Sequence, residues 1–176
     1  MPLHLRTLLA ALLSLSLMAC GFHLRGQGPN STLPFASAKL IGNGGAFQDL
    51  SRQLGLMKID LNSPTPEITI QILSEGMDKQ VLSVNSSGQV AEYRLYYRLH
   101  FSASKVGETL IDDNAISLQR NISWDENSVL SKEAEEASLI REMQRDAAGQ
   151  IIRRINAAAK NAGNASAANS SNATGQ

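Results

Sequence analysis

The 176-residue chain has few of the residues that most often build catalytic or cross-linked sites. It contains one cysteine, so no intramolecular disulfide can form and an ordinary apolar core has to hold the fold together. Its three histidines are too few and too scattered to predict a catalytic centre. Lysine plus arginine equals aspartate plus glutamate, at 16 each, so no charge excess points to nucleic acid as a partner.

The single cysteine, Cys20, follows a segment that has the features of a secretion signal. A weakly basic start leads into the apolar run Leu8–Met18, whose eleven residues are too few to span a bilayer comfortably. The run ends in Leu-Met-Ala-Cys, which is similar to a lipobox. We expect residues 1–19 to be a lipoprotein signal peptide that is cut before Cys20, whose thiol then carries the lipid. The alternative is an ordinary signal peptide followed by a cysteine that stands there by chance.

The rest of the chain divides into three parts by composition. Residues 20–34 are rich in glycine, proline and asparagine, and we interpret them as a lipidated N-terminus and tether. Residues 35–156 carry the periodic patterns of a single domain. Residues 157–176 contain mainly alanine, asparagine, serine and glycine, which bury too little apolar surface to fold, so we predict a disordered polar tail.

The first part of the domain predicts a strand, a helix and a second strand. Phe35–Ile41 alternates loosely, and Ala46–Leu54 has apolar residues at helical spacing, with Gly55 as its stop. Glu67–Leu73 alternates cleanly between isoleucine and polar residues, and the chain continues extended after a bend near Gly76.

The clearest strand is Val90–Ser102, which follows a hairpin turn predicted at residues 85–88. Its residues alternate with a period of 2, so one face should be buried and the other exposed. The face predicted to be exposed carries a basic and aromatic stripe of Arg94, Tyr96, Arg98 and His100. Two interpretations of this stripe stand: a solvated sheet face, or a surface that meets a partner, since tyrosine and arginine are enriched at interface hot spots.

The last pattern predicts a turn, a strand and a long helix. The turn contains Asp112 and Asp113, and the strand runs over residues 116–124. Ser131 can cap a helix over residues 132–158. The complete order is β-α-β-β-β-α, which predicts an α+β fold with a four-stranded mixed sheet and two helices packed on one face.

No combination of residues in the sequence predicts catalysis, a metal site or a cofactor. His100 stands alone on the exposed face of its strand, and Asp112-Asp113 is typical of turn chemistry rather than acid–base chemistry. No glycine pattern follows a strand and opens a helix as a phosphate-binding loop requires. We therefore predict a protein that is not an enzyme. A small periplasmic hydrolase is a further hypothesis, and it would need a catalytic His100.

Three segments, Cys20–Gly26, Gly88–Tyr93 and Ile140–Arg153, resemble the lipopolysaccharide-assembly lipoprotein family LptE. The first resembles the family's opening of Cys-Gly-aromatic-His-Leu-Arg, the second its hairpin-to-strand segment, and the third its last helix. The resemblance spans residues 20 to about 156, with the same order of elements.

The resemblance implies a function that composition cannot. Members of this family plug a large outer-membrane β-barrel, LptD, help that barrel to assemble, and bind lipopolysaccharide during its delivery to the outer leaflet. The chain would then be lipid-anchored to the outer membrane, with its domain on the periplasmic side or within the barrel lumen. The alternative is a free-standing periplasmic lipid- or glycan-binding lipoprotein without a barrel partner.

The resemblance also implies candidate contact residues. In the family, basic side chains near the hairpin turn and before the last helix are implicated in lipopolysaccharide binding. Lys132 matches the second position, whereas the turn at residues 85–87 contains no basic residue. The strand stripe adds Arg94, Tyr96 and Arg98 as candidate contacts with lipopolysaccharide or the barrel.

Overall fold

A computed structural model of the protein describes residues 33–172, with side chains described as far as residue 163. The predicted signal peptide, the predicted lipidation site Cys20 and the predicted tether up to residue 32 lie outside the described residues. The described residues from Pro34 onward form one compact unit. Among the described residues, no helix combines the length and the apolar character needed to cross a membrane.

The described residues form one sheet and two long helices. The elements in chain order are β1 Ala38–Ile41, α1 Gly45–Leu56, β2 Ile68–Val84, β3 Val90–Lys105, β4 Glu108–Ser123 and α2 Val129–Asn172. The strands lie side by side in the order β1-β2-β3-β4, with β1 parallel to β2 and the other pairs antiparallel. Both helices pack on one face of the sheet. The predicted α+β fold and its element order are confirmed.

The core lies between the helices and one face of the sheet. Its largest contributions come from alternate residues of β3 and from every third or fourth residue of α2. The fully buried set comprises Leu95, Tyr97, Leu99 and Phe101 of β3, and Met143, Ala147, Ile151 and Ile155 of α2. Each large apolar side chain buried in this way stabilises the fold by about 1.5–3 kcal/mol relative to an exposed one.

A bulge in β2 changes which of its residues face the helices. Before the bulge, even-numbered residues such as Ile72 face the core. In the pairing of β2 with β3, Leu73 has no residue opposite it, so it is the extra residue of the bulge. Beyond it, odd-numbered residues face the helices, because Lys79 lies opposite the buried Leu95. The bend was predicted near Gly76 because a glycine inside a strand often indicates a bulge. That position is wrong, because the extra residue of the bulge is Leu73.

Helix α1 passes through Gly55 and ends at Leu56, so the prediction that Gly55 stops the helix is wrong. The reversal is made by Lys58, whose φ of 62° is left-handed and whose N–H donates to the Gly55 carbonyl at 2.9 Å. A glycine inside a helix costs about 1 kcal/mol relative to alanine, which a packed helix tolerates.

The turn between β3 and β4 lies at Val106-Gly107, not at the two aspartates. Gly107 has a φ of 78°, which supplies the left-handed residue that a tight hairpin needs. Asp112 and Asp113 lie inside β4. The predicted turn was wrong because turn-forming residue types also occur in exposed positions of an edge strand.

Helix α2 begins earlier than predicted. Asp125 caps a 3-10 turn over Glu126–Ser128 by accepting the Asn127 N–H at 2.9 Å, and α2 follows directly from Val129. Ser131 therefore lies inside the helix and does not cap it. The aspartate and the serine are both good caps, and the sequence alone does not rank them.

Helix α2 also continues past Ala158, as far as Asn172. The prediction of a disordered tail from residue 157 is wrong for residues 157–172, whose backbone is helical. Alanine has the highest helix propensity, and extending an existing helix needs no new nucleation. The disorder was predicted from the lack of apolar residues, which prevents this segment from forming a core of its own but does not prevent it from extending a helix.

Candidate functional site

The side of the sheet that faces away from the helices carries mostly polar side chains, and we call it the polar face. Residues directly opposite each other on neighbouring strands share a face, so the register defines its members. Its central part comprises the even-numbered residues of β3 from Glu92 to Ser104, the odd-numbered residues of β4 from Asp113 to Asn121, and the even-numbered residues of β2 from Ser74 to Gln80. The largest side chain without a charge in this part is Tyr96, and the apolar members of the face include Ala115 and, on β1, the 37% exposed Ile41.

The predicted stripe lies on the polar face, as expected from the alternation. The Arg94 Nε donates to the Asn121 Oδ1 at 3.0 Å, which holds this arginine against β4. The guanidinium carbon of Arg98 lies 5.8 Å from the ring centre of Tyr96, within range of a cation–π contact. Arg98 is exposed and the other residues of the stripe are half-buried. The four side chains therefore form one continuous surface.

His100 completes the stripe through an ion-pair contact with β4. Its Nδ1 lies 2.9 Å from the Asp113 Oδ1, and both side chains are well exposed, at 42% and 58%. No group of three or more histidine, cysteine, aspartate or glutamate side chains in residues 33–163 is arranged to hold a metal ion. The pair is a surface contact that links two strands.

A shallow depression of about 300 Å³ lies beside the stripe. Tyr96, Arg98 and His100 line one side, and Gly76 and Asp78 line the other. Gly76 lies opposite Arg98 in the register, and nothing approaches within 4 Å of the place where a Cβ would stand. The absence of a side chain there leaves the Arg98 guanidinium accessible from the β2 side.

The polar face mixes both signs of charge. Arg94 and Arg98 alternate with the carboxylates of Asp78, Glu92 and Asp113 across the three strands. Such a surface favours a partner that offers both hydrogen-bond donors and acceptors. Phosphate groups would be attracted locally at the arginines rather than by a field over the whole face.

Lys132 lies at the start of α2 rather than in the stripe. Its Nζ donates to the Ser123 Oγ at 2.9 Å and to the Glu135 Oε2 at 3.0 Å, and its side chain is only 19% exposed. Lys132 is hydrogen-bonded to Ser123, and Arg94 is hydrogen-bonded to Asn121, two residues earlier on the same face of β4. The end of β4 therefore places Lys132 close to Arg94. A bound anion would have to displace Glu135 from the Lys132 ammonium.

One cluster on the helix side of β2 was not predicted. The Lys79 Nζ lies 4.3 Å from the ring centre of Tyr93 and 4.4 Å from that of Trp124, and 2.5 Å from the Glu136 Oε2 on α2. The two rings meet edge to face at 5.2 Å. Simple alternation along β2 would put Lys79 on the polar face, and only the bulge at Leu73 turns it inward. The sequence carries no clear signal for that bulge.

A second cluster joins three elements behind the sheet. The Glu75 carboxylate accepts the Ala46 N–H at 3.3 Å, at the beginning of α1, and the Gln144 side-chain amide of α2 at 3.3 Å. A carboxylate at a helix N-terminus is stabilised by the helix dipole. Burial, and then the nearby Glu75 carboxylate, raise the pKa of the Tyr97 hydroxyl, which stays protonated. This cluster joins β2 to both helices, and its Glu75 and Gln144 side chains are half-buried at the edge of a depression of about 290 Å³.

The fold and the polar face define a small α+β domain in which the described residues leave one side of the sheet uncovered. The chain matches the model of the LptE family, described as lipopolysaccharide-assembly, over residues 45–155. It is 27% identical over 157 residues to the LPS-assembly lipoprotein LptE of Pectobacterium atrosepticum. The aligned region covers 86% of this chain and 85% of that protein.

Two solved structures are similar to the described domain. The solution structure of an uncharacterized lipoprotein B from Nitrosomonas europaea is 31% identical, with a TM-score of 0.65, covering 78% of this chain and 91% of that one. The crystal structure of the rare lipoprotein B from Shewanella oneidensis has a TM-score of 0.64 at 21% identity, covering 71% of this chain and 97% of that one. At 21% identity, the similarity to the Shewanella oneidensis protein shows only that the two proteins share a fold.

The chain therefore belongs to the LptE family of lipopolysaccharide-assembly lipoproteins. Its role lies in lipopolysaccharide assembly, and proteins of this family are associated with the outer membrane and are not enzymes. The resemblance seen in the sequence is confirmed, and the hypothesis of a periplasmic hydrolase is wrong.

Proposed function

We propose that this chain is a lipid-anchored outer-membrane lipoprotein that fills the lumen of an LptD-type β-barrel, helps that barrel to assemble and binds lipopolysaccharide. The observation that carries the proposal is the polar face, whose side chains are mostly charged or hydrogen-bonding. The interior of a wide outer-membrane barrel is polar. A domain that fills it needs a broad polar surface rather than an apolar patch.

The length of the strands supports the same proposal. Strands β2, β3 and β4 have 17, 16 and 16 residues, and a strand of that length extends about 50 Å. The apolar band of an outer-membrane barrel is about 25 Å tall. A plug built on this sheet can therefore contact the lumen wall over the whole depth of the membrane.

Two arginines of the polar face are the proposed contacts for lipopolysaccharide. A guanidinium matches the geometry of a phosphate and can donate two hydrogen bonds to it. Arg98 is exposed beside the open depression at Gly76, whereas Arg94 is held by Asn121. Lys132 is the weaker candidate, because Glu135 already occupies its ammonium group.

The proposed anchor is compatible with this placement. Cys20 precedes Pro34 by 14 residues, which can extend to about 50 Å. That length allows the lipid to stay in the membrane while the domain lies inside a barrel.

The test is recovery of the partner from outer membranes with the intact, tagged protein. We expect a large β-barrel to be recovered with the wild type and with Arg141→Glu/Arg145→Glu, which reverses two exposed charges of α2. Arg94→Glu/Arg98→Glu should recover less barrel, or should recover it with less bound lipopolysaccharide. If the wild type recovers no barrel but binds lipopolysaccharide alone, the free-standing binding lipoprotein replaces this proposal.

A further inference from the structure

We propose that Arg120 and Lys79 keep the two free edges of the sheet from pairing with the strands of a second copy of this chain. This inference does not depend on the identity of the barrel partner. It concerns the protein before it is covered by any partner.

The sheet has two long edges without a neighbouring strand among the described residues. Strand β4 is paired only with β3, so no strand of the described residues lies along its other side, although Arg154 of α2 donates to the Ala115 carbonyl at 2.8 Å. Strand β1 pairs only with residues 68–71 of β2, which leaves Ser74–Val84 open on that side. Open edges expose rows of N–H and C=O groups that pair readily with another strand.

The open edge of β4 carries one cation on the helix side of the sheet. Arg120 lies between Leu118 and Ile122 on that side, where an apolar residue would continue the pattern. Its guanidinium lies 2.8 Å from the Asp146 carboxylate of α2, and its side chain is still 33% exposed.

The open edge of β2 repeats this arrangement. Lys79 lies on the helix side between Met77 and Val81, and its ammonium lies 2.5 Å from the Glu136 carboxylate of α2. Its side chain is 30% exposed. Each free edge thus carries a single inward-facing cation that is paired with α2 yet still partly in water.

A strand added to either edge would cover the part of the cation that water now solvates. The only carboxylate in contact with each cation within the described residues comes from α2, and a second β4 strand centred on Gln119 would bring Leu118, not an opposite charge, to Arg120. An inward-facing charge on an edge strand is a known means of discouraging such pairing.

The expected pairing partner is a second copy, because the β4 edge is nearly complementary to itself. In an antiparallel pair of two β4 strands centred on Gln119, Ile116 of one copy would lie opposite Ile122 of the other. In the same register Arg120 would lie opposite Leu118. The arginine is the one position of this row that interrupts apolar contact, so Arg120→Leu should complete it.

The test compares the self-association of full-length variants in detergent by sedimentation equilibrium. Arg120→Leu and Lys79→Leu should associate at least about tenfold more tightly than the wild type. Arg141→Leu is the matched control, because it makes the same change at an exposed position of α2, away from both edges of the sheet. If Arg120→Leu associates no more than Arg141→Leu, the proposal is wrong.

Two further measurements separate edge pairing from loss of the fold. Asp146→Asn keeps the cation and removes its partner, so it should stay as monomeric as the wild type; association equal to that of Arg120→Leu would overturn the proposal. Hydrogen exchange should slow at the outward-facing amides of β4 in the associated Arg120→Leu protein. Association without that protection would also overturn it.

Discussion

Arg98 and Arg94 lie on the same side of β3 but differ in what already holds them. Arg94 is fixed by Asn121 at 3.0 Å, whereas Arg98 is exposed and rests on the ring of Tyr96. A cation that is already hydrogen-bonded has less to gain from a new anion. The candidate contacts are therefore unequal, although the sequence presents them as equal members of one stripe.

The first prediction follows from this inequality. Arg98→Gln should weaken lipopolysaccharide binding by the intact protein roughly tenfold or more, the value of one charge-assisted hydrogen bond, about 1.5–3 kcal/mol. Arg94→Gln should weaken it less. Titration of the purified protein with lipopolysaccharide measures both. Equal losses, or a larger loss for Arg94→Gln, would show that exposure does not decide which arginine binds.

The second prediction concerns Lys79. Lys79→Met keeps a side chain of similar length but removes the cation from the Tyr93 and Trp124 rings and from Glu136. We expect the free energy of unfolding to fall by about 1–2 kcal/mol, the sum of two cation–π contacts and a partly exposed ion pair. Urea unfolding at low protein concentration measures this.

Glu136→Gln is the matched control for the second prediction. It removes the ion pair but leaves both ring contacts, so its cost should stay below about 1 kcal/mol because the pair is partly solvated. A loss as large as that of Lys79→Met would mean that the rings contribute nothing.

At the scale of elements, the bulge in β2 decides which side chains reach the polar face. If β2 had no bulge and Leu73 were paired with His100, Glu75 and Lys79 would turn to the polar face, and both of the clusters that join β2 to the helices would be lost. The bulge therefore connects a local irregularity of one strand to the packing of both helices.

The third prediction tests that role. Deleting Leu73 removes the bulge but leaves Ile72 opposite Phe101 and Ser74 opposite His100, so every later side chain of β2 keeps its face. The free energy of unfolding should then change by less than about 1 kcal/mol. Deleting Met77, which is paired with Tyr97, should lower it by more than about 2 kcal/mol, because a one-residue slip reverses the side chains on one side of the deletion. Thermal unfolding followed by circular dichroism compares the two deletions, and similar losses would mean that Leu73 is not the extra residue of the strand.

The fourth prediction concerns the beginning of α2. The backbone N–H of Asn127, with its side-chain amide, holds the pKa of Asp125 below its usual value. The pKa of this carboxyl group is about 4 in the unfolded chain and lower in the folded protein. At a pH above about 4 the ionised carboxylate therefore stabilises the fold, and this stabilisation is lost as the pH falls through the pKa of the folded protein.

Asp125→Ala should therefore lower the melting temperature at pH 7, and the difference from the wild type should shrink below pH 4. Asp125→Asn, which keeps a capping oxygen, should have a smaller effect at pH 7. Melting curves across this pH range measure both effects. A difference that does not change with pH would contradict the assignment of Asp125 as the cap.

The elements that sequence predicts well are those with a long, regular pattern. The alternation in β3, the hairpin turn that ends at Gly88 with its φ of 80°, and the apolar spacing of α2 are all confirmed. The bulge, the second hairpin turn and the helix ends were missed because each depends on one residue. Which of several suitable residues is used there is decided by tertiary packing. The inward position of Lys79 was missed for the same reason.

At the scale of the whole molecule, the chain separates its apolar and polar surfaces by the two faces of one sheet. The helices cover the apolar face, and the polar face is left for a partner. In the proposed arrangement, the lipid anchor at Cys20 and the tether that follows bring this face to the membrane. The family assigns the molecule to lipopolysaccharide assembly, and the geometry of the polar face supports the proposal of how it takes part.

The fifth prediction concerns the anchor. Cys20→Ser removes the only thiol in the chain, so the protein should leave the membrane fraction after osmotic release of the periplasm. Ser16→Ala, in the same predicted signal segment, should remain in the membrane fraction. Retention of Cys20→Ser in the outer membrane in cells without the barrel would contradict lipid anchoring.

The proposal that the polar face lies against the wall of a barrel lumen is tested most directly by crosslinking in intact cells. A photoreactive residue at Tyr96, on the polar face, should give a covalent product with an LptD-type barrel. The same residue at Leu56, which is 79% exposed at the end of α1, tests whether any exposed position reacts equally. A barrel product from Tyr96 is the predicted result. If Tyr96 gives no barrel product while the protein is folded and in the outer membrane, the polar face does not meet the barrel and the proposed function is wrong.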